Sequence, residues 1–154
     1  SVLHTFRLVL EDLLPQAEAK QIDIGVVGDD DADVWINELD LKILIRNLVD
    51  NAIRYTPNGG RVDLSVSVQQ GRAALKVQDS GPGIQVDERD RIFDPFYRSL
   101  GTEQSGSGLG LSIVKAITDG IGAEVRLDFA DAVQGTGLCV TVLLPTQAKF
   151  AVRR

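Results

Sequence analysis

The 154 residues are 44% hydrophobic and 25% charged, with a formal net charge of −6. This composition excludes a disordered tail, and the negative charge argues against nucleic-acid binding, which needs a basic face. Cys139 is the only cysteine, which rules out an intrachain disulfide and a thiolate-based metal site and fits a reducing, cytoplasmic compartment. The apolar runs are strand-sized, so we expect one domain over residues 1–154 that makes no membrane contact.

The first third of the chain predicts two helices and two short strands. Apolar residues at helical spacing indicate a helix over residues 2–19, in which Pro15 marks a kink or a late break. Strands are predicted at residues 22–26 and, after a solvated acidic turn, around residues 34–36. Asn37 is a suitable N-cap for the next helix, which should end near Tyr55.

The rest of the chain predicts a hairpin, further helices and a final strand pair. Strands at about 61–68 and 73–79 are joined by a tight connection. They are followed by a short helix at 87–92, a polar loop over 98–108, a helix from about 109 to 121, and strands near 124–129 and 137–144. This order predicts an α+β fold, a two-layer α/β sandwich in which a mixed five-stranded sheet carries three main helices on one face.

Four polar residues lie together on the flank of the apolar stripe of the second long helix: Asn47, Asn51, Arg54 and Tyr55. A half-buried amide needs a hydrogen-bond partner, so the two asparagines one turn apart indicate a polar object beside the helix. Pairing with each other or with a neighbouring loop is an equally open explanation for the helix considered alone. Because Mg²⁺ takes only one or two protein oxygens besides water and phosphate, we predict Asn51 as its ligand.

Two glycine-rich segments suggest parts of a nucleotide pocket, the first placing Asp79 to accept from a base edge and the second facing phosphate. Residues 79–83 (DSGPG) form a sharp turn, which a plain β-turn capped by Asp79 would also explain. Residues 106–111 (GSGLGL) open an amphipathic helix, where each glycine costs up to about 1 kcal/mol relative to alanine, and this favours close backbone approach to a ligand. The polar loop before them has the composition of a mobile lid, with Arg98 at its base placed to reach a terminal phosphate.

These segments resemble the N, G1, F and G2 boxes of bacterial two-component sensor histidine kinases, which belong to the GHKL superfamily of Bergerat-fold ATPases. The resemblance rests on residues 47–57, 79–83, 93–98 and 106–111 in the family's order and covers essentially the whole chain. It implies that ATP and Mg²⁺ bind, with Asp79 on the adenine amino group, Tyr55 against the adenine ring and Asn51 on the metal. The nucleotide-binding residues that it implies are Asn47, Asn51, Arg54, Tyr55, Asp79, Gly81, Gly83, Ile84, Arg98, Gly106, Gly108, Leu109, Gly110 and Leu111.

The resemblance also implies a reaction and partners. Arg54, where the family usually has lysine, and Arg98 are the implied catalytic cations. His4, the only histidine, does not lie in a phosphoacceptor motif. We therefore expect a catalytic domain, inactive by itself, that phosphorylates a histidine on the dimerisation domain of the same kinase and thereby serves a response regulator. The full protein would be an inner-membrane sensor with this domain in the cytoplasm.

Other functions use the same fold. Self-contained ATPases such as Hsp90, MutL and gyrase B, and serine kinases of the anti-sigma type, have a glutamate base four residues before the magnesium asparagine. Asn47 occupies that position here, and an amide cannot take a proton at neutral pH, which favours transfer to histidine. A non-catalytic ATP-binding regulator stays open as a third function. The last glycine box is represented by Gly135-x-Gly137, followed by Leu138 where the family often has Thr or Ser.

Overall fold

One mixed sheet organises the domain. The computed structural model describes residues 1–82, 110–131 and 133–146. The first two strands of the sheet run parallel, and its other neighbours are antiparallel, which confirms the predicted mixed sheet. The five strands, in the spatial order β1-β2-β3-β5-β4, are β1 (Asp23–Val26), β2 (Arg61–Gln69), β3 (Arg72–Asp79), β4 (Glu124–Asp128) and β5 (Leu138–Pro145).

Three described helices pack on the sheet: α1 (Val2–Ala19), α2 (Glu38–Tyr55) and α3 (Gly110–Gly120). The predicted bounds of α1 and α2 are confirmed, and α1 continues through Pro15. Asn37 caps α2 as predicted, because its side-chain oxygen accepts a hydrogen bond from the Leu39 N–H at 2.8 Å. None of the described helices is long and apolar enough to cross a bilayer. The helix predicted at 87–92 and the loop predicted at 98–108 lie outside the described residues.

The hydrophobic core lies between the helices and one face of the sheet. Alternation along β2 buries Val62, Leu64 and Val66 while the residues between them stay half-buried, as expected of a strand with one covered face. Apolar residues of α1 and α2, such as Phe6 and Leu44, are fully buried against this face. The apolar residues whose spacing predicted the two helices therefore also form the core.

The strand predicted at residues 34–36 is wrong. These residues make only an isolated antiparallel bridge, between Val34 and Thr146, and the Trp35 N–H donates to the carbonyl oxygen of Pro145 at 2.8 Å. The physical reason is competition for edges, since β3 and β4 already occupy the two sides of β5. Only the end of β5 is left to pair, and α2 begins directly after this segment.

The β2–β3 hairpin places the first functional residue. Its two-residue turn has positive φ at both central positions, 53° at Gln70 and 78° at Gly71, as a type I′ turn requires. The register that follows pairs Val62 with Asp79 and ends β3 at that aspartate. Asp79 consequently stands at the end of a central strand, beside β2 on one side and β5 on the other.

Candidate functional site

The polar flank of α2 forms one wall of the site. Asn47, Asn51, Arg54 and Tyr55 are all half-buried, as the sequence predicts for the edge of the apolar stripe. At 1.5 Å rise per residue, the eight steps from Asn47 to Tyr55 cover about 12 Å along the helix axis. The wall is therefore long enough for a ligand with chemically different ends.

Asn47 lies where α3 begins. Its side-chain Nδ2 donates to the carbonyl oxygen of Ile43 one turn earlier, at 2.8 Å. A Cβ built on Gly110 would lie 3.6 Å from the Asn47 Oδ1, so the first residue of α3 packs directly against this amide. The first turn of α3 thus starts beside Asn47, which places an anion-favouring helix end at this part of the wall.

Asn51 differs from Asn47 in its surroundings. The two amides do not pair with each other: Asn47 uses its donor on the helix backbone, and the Asn51 side chain has no hydrogen-bond partner among the described residues. The described part of the chain also holds no group of three or more His, Cys, Asp or Glu residues arranged for a metal. A cation here would need the amide oxygen of Asn51 together with water and ligand oxygens, which suits the coordination preferences of Mg²⁺.

The C-terminal end of α2 is held by the lysine that follows α1. The Lys20 Nζ donates to the carbonyl oxygens of Ile53 at 2.7 Å and Arg54 at 3.0 Å, and its partial burial lowers the pKa of this amine. A cation at this end of a helix is favoured by the helix dipole. The Arg54 side chain extends from the same turn, with its Nε 3.1 Å from the Asp50 Oδ2.

Asp79 is the most unusual charged group of the described chain. It is 6% exposed, and its Oδ1 accepts hydrogen bonds from the backbone N–H groups of Gly81 at 2.9 Å and Leu138 at 3.2 Å. Burial raises the pKa of Asp79 to about 6, because the lost hydration of the carboxylate outweighs the two stabilising hydrogen bonds. No described residue donates to the other oxygen, Oδ2. The turn cap that a plain β-turn predicts is present, yet it occupies only one of the two oxygens.

Close backbone packing joins Asp79 to α2. A Cβ on Gly81 would lie 2.7 Å from the carbonyl oxygen of Tyr55, so only glycine fits between the turn and the end of the helix. The Gly81 carbonyl oxygen accepts a hydrogen bond from the Gly137 N–H at 2.7 Å. The end of α2, the turn after β3 and the start of β5 therefore meet at one point.

The structure brings the predicted residues together at the two ends of the polar wall, which occupies the C-terminal half of α2. Tyr55, Asp79 and Gly81 lie at one end, and Asn47 and Gly110 at the other. The side chain of Leu111 is buried in the core, so only its backbone could face a ligand. The backbone N–H of Leu138 is a site group that the sequence did not reveal, because a backbone donor leaves no side-chain signature. The predicted residues outside the described part of the chain are Gly83, Ile84, Arg98, Gly106, Gly108 and Leu109.

A family model described as "Histidine kinase-, DNA gyrase B-, and HSP90-like ATPase" matches residues 36–148. The chain belongs to this ATPase family. The match begins just before α2 and ends after β5, so it includes Asn51, Asp79 and Leu138. The predicted family is confirmed.

The similar curated proteins are sensor histidine kinases. The chain is 40% identical over 148 residues to the sensor protein kinase PmrB of Pseudomonas aeruginosa, covering 94% of this chain and 30% of that protein. It is 39% identical over 126 residues to the histidine-protein kinase/phosphatase MprB of Mycobacterium tuberculosis, covering 80% and 24%. The chain thus spans less than a third of the length of these relatives.

Solved histidine kinases share the fold. The mycobacterial sensor histidine kinase MprB superposes with a TM-score of 0.76 at 31% identity, covering 92% of this chain and 95% of that one. Full-length ShkA in complex with AMPPNP gives a TM-score of 0.81 at 30% identity, covering 95% and 30%. The catalytic domain of ThkA in a nucleotide-free form gives 0.79 at 26% identity, covering 93% and 91%. These solved structures therefore confirm the Bergerat-type sandwich and the ATPase family that the sequence predicted.

Proposed function

We propose that this domain binds ATP with Mg²⁺ and transfers the γ-phosphoryl group to a histidine on the dimerisation domain of the same protein. The observation that carries the proposal is the arrangement along α2, with a buried carboxylate at the Tyr55 end and the start of α3 at the Asn47 end. Such a wall suits a nucleotide, because the amine of its base needs a hydrogen-bond acceptor at one end and its phosphates need donors at the other. The likeness to sensor kinases over most of the chain supports this reading.

In this proposal Asp79 accepts a hydrogen bond from the exocyclic amine of adenine, and Tyr55 lies against the ring. The start of α3, at Gly110 and the Leu111 backbone, contacts the phosphates through backbone N–H groups. Asn51 holds Mg²⁺, which when bound neutralises charge on the terminal phosphate oxygens. The amide of Asn51 fits this role because no described side chain competes for it.

Phosphoryl transfer depends mostly on positioning and charge stabilisation, so the cations matter more than a base. Arg54 lies one turn after Asn51 on the half-buried flank of α2, with its side chain turned back toward Asp50, and Arg98 is proposed as the second cation. The position of Asn47, where a self-contained enzyme needs a glutamate, leaves this chain without a side chain that could deprotonate water or serine from there. An imidazole acceptor needs less activation than water. Transfer to histidine is thus the reaction that this residue set serves best.

The decisive experiment follows radiolabelled ATP. The isolated domain should bind ATP, hydrolyse it very slowly and leave itself unlabelled, and a dimeric helical domain that presents a histidine should become labelled when added. The response regulator would then remove that phosphoryl group. Stable label on His4 or a serine of this chain, without a partner, would favour a self-contained kinase. Rapid phosphate release by the isolated domain would favour an ATPase, and binding without either reaction would favour a regulator.

A further inference from the structure

The carboxylate of Asp79 stands between two apolar side chains. On the sheet face that meets the helices, Val62 lies opposite Asp79 on β2, and Leu138 lies opposite it on β5. Directly opposed residues have their Cβ atoms about 5 Å apart. Val62 is fully buried and Leu138 is 5% exposed, so neither neighbour brings water or a polar group to the carboxylate.

Within the described part of the chain, one oxygen of Asp79 is left for a ligand. Its Oδ1 accepts from two backbone N–H groups, which uses both lone pairs and fixes the plane of the carboxylate. Oδ2 receives no hydrogen bond from the described residues. The edge of a base bound at this site would therefore meet one described hydrogen-bond acceptor, Oδ2, flanked by the apolar side chains of Val62 and Leu138.

Nearby charges do not alter this arrangement. Arg61, Asp63 and Asp131 line a depression of about 300 Å³ that Asp79 also borders. Arg61 pairs with Asp63 at 2.9 Å, and the Asp131 Oδ1 accepts from two N–H groups of its own turn. In the described part of the chain, none of the three is hydrogen-bonded to Asp79.

We infer that Leu138 is a specificity-determining residue: its side chain places hydrocarbon beside Asp79 where a second polar contact to the base edge could stand, so that among the described residues Oδ2 is the group that reads the base. This inference rests on the proposed function and deepens it. The site would select 6-aminopurines by their exocyclic amine and would not read the neighbouring ring nitrogen N1. A 6-oxo group would place an acceptor against an acceptor and be rejected.

The unmodified domain provides the first test, by calorimetry with ATP, ITP and 1-deaza-ATP, in which N1 is replaced by CH. ITP should bind at least about 100-fold more weakly than ATP, because a buried acceptor loses its donor. The 1-deaza-ATP should bind within about threefold of ATP, since no hydrogen bond to N1 is lost. A drop of tenfold or more for 1-deaza-ATP would overturn the inference.

Leu138→Thr and Leu138→Val form the second test. The threonine hydroxyl places a polar group beside Oδ2, so 1-deaza-ATP should now bind about tenfold more weakly than ATP, the value of one hydrogen bond to the ring nitrogen. The valine variant, which has no hydroxyl, should keep the unmodified base preference.

The outcomes separate the two proposals. If the unmodified domain binds none of the nucleotides, the proposed function fails. If it binds ATP while Leu138→Thr and Leu138→Val weaken all three nucleotides equally, Leu138 is only a core residue and the inference alone fails. Should the threonine variant not fold, the analogue measurements on the unmodified domain still decide.

Discussion

Gly137 lies so close to the main chain of Asp79 that a Cβ at Gly137 would be 2.5 Å from the Asp79 carbonyl oxygen. The same glycine has a φ of 72° and donates its N–H to Gly81. Three requirements therefore meet at one residue: a left-handed backbone, absence of a side chain, and a hydrogen bond to the turn after β3. This contact keeps the start of β5 against Asp79 and so holds the Leu138 N–H in place.

Gly137→Ala should destabilise the domain by several kcal/mol, about 3 or more, because a clash with rigid backbone adds to the strain of positive φ. Gly135→Ala is the matched control: its φ is also positive, at 66°, but nothing lies within 4 Å of the added Cβ. That variant should lose only about 1–2 kcal/mol. Urea unfolding measures both, and equal losses would contradict the role of the Asp79 contact.

Asp79→Asn should stabilise the nucleotide-free domain at neutral pH. Because folding raises the pKa of Asp79 to about 6, the folded state binds more protons than the unfolded state between about pH 4 and 6, and stability falls as pH rises through that window. The shift corresponds to about 3 kcal/mol at pH 7, which is the upper limit of the gain. The free energy of unfolding should differ less between pH 4.5 and pH 7.5 in the variant than in the wild type. The control Asp119→Asn, at a surface pair with Lys115, should show the wild-type difference. A variant less stable than wild type at pH 7.5 would argue against a buried carboxylate.

Asp79→Asn should also lose selectivity for adenine, because an amide offers both a donor and an acceptor to the base. Competition between ATP and GTP measures this effect. Equal affinity of the unmodified domain for the two nucleotides would contradict the proposed role of Asp79.

Asn51→Ala should abolish Mg²⁺-dependent binding of ATP, because it removes the only amide oxygen proposed for the metal. Calorimetry with and without Mg²⁺ measures the effect. Asn58→Ala, at an exposed turn after α2, is a control of the same residue type and should bind as wild type does. Metal-dependent binding retained by Asn51→Ala would show that the ligand was assigned wrongly.

Arg54→Gln should weaken ATP binding and slow phosphoryl transfer, since it removes a cation that we propose to act on the phosphates. Asp50→Asn removes the ion-pair partner of Arg54 and leaves the cation, so it should bind ATP as well as wild type or better. Exposed pairs of this kind contribute about 0–1 kcal/mol to stability, and both variants should remain folded. Titration of ATP into each variant measures the affinity. Equal losses of affinity in both variants would show that binding depends on the Arg54–Asp50 ion pair and not on the cation alone.

Lys20→Met should destabilise the domain by about 1–3 kcal/mol, because it leaves the carbonyl oxygens of Ile53 and Arg54 without their donor. Lys42→Met, which breaks only an exposed pair with Asp12, should cost less than about 1 kcal/mol. Thermal unfolding compares them. Equal melting temperatures of the two variants would contradict a capping role for Lys20.

The sequence by itself determined the helices, most strands, the half-buried flank of α2 and the family. These features depend on periodicity, capping and turn chemistry within short windows, as at Asn37 and the Gln70-Gly71 turn. The roles of Gly83, Ile84, Arg98, Gly106, Gly108 and Leu109 stay predictions. What only the tertiary structure decided was long-range: that residues 34–36 pair only at the end of β5, that Lys20 reaches the end of α2, and that Leu138 lies opposite Asp79. Such contacts depend on which edges, carbonyl groups and faces remain available after distant segments have packed, and no local pattern records that competition.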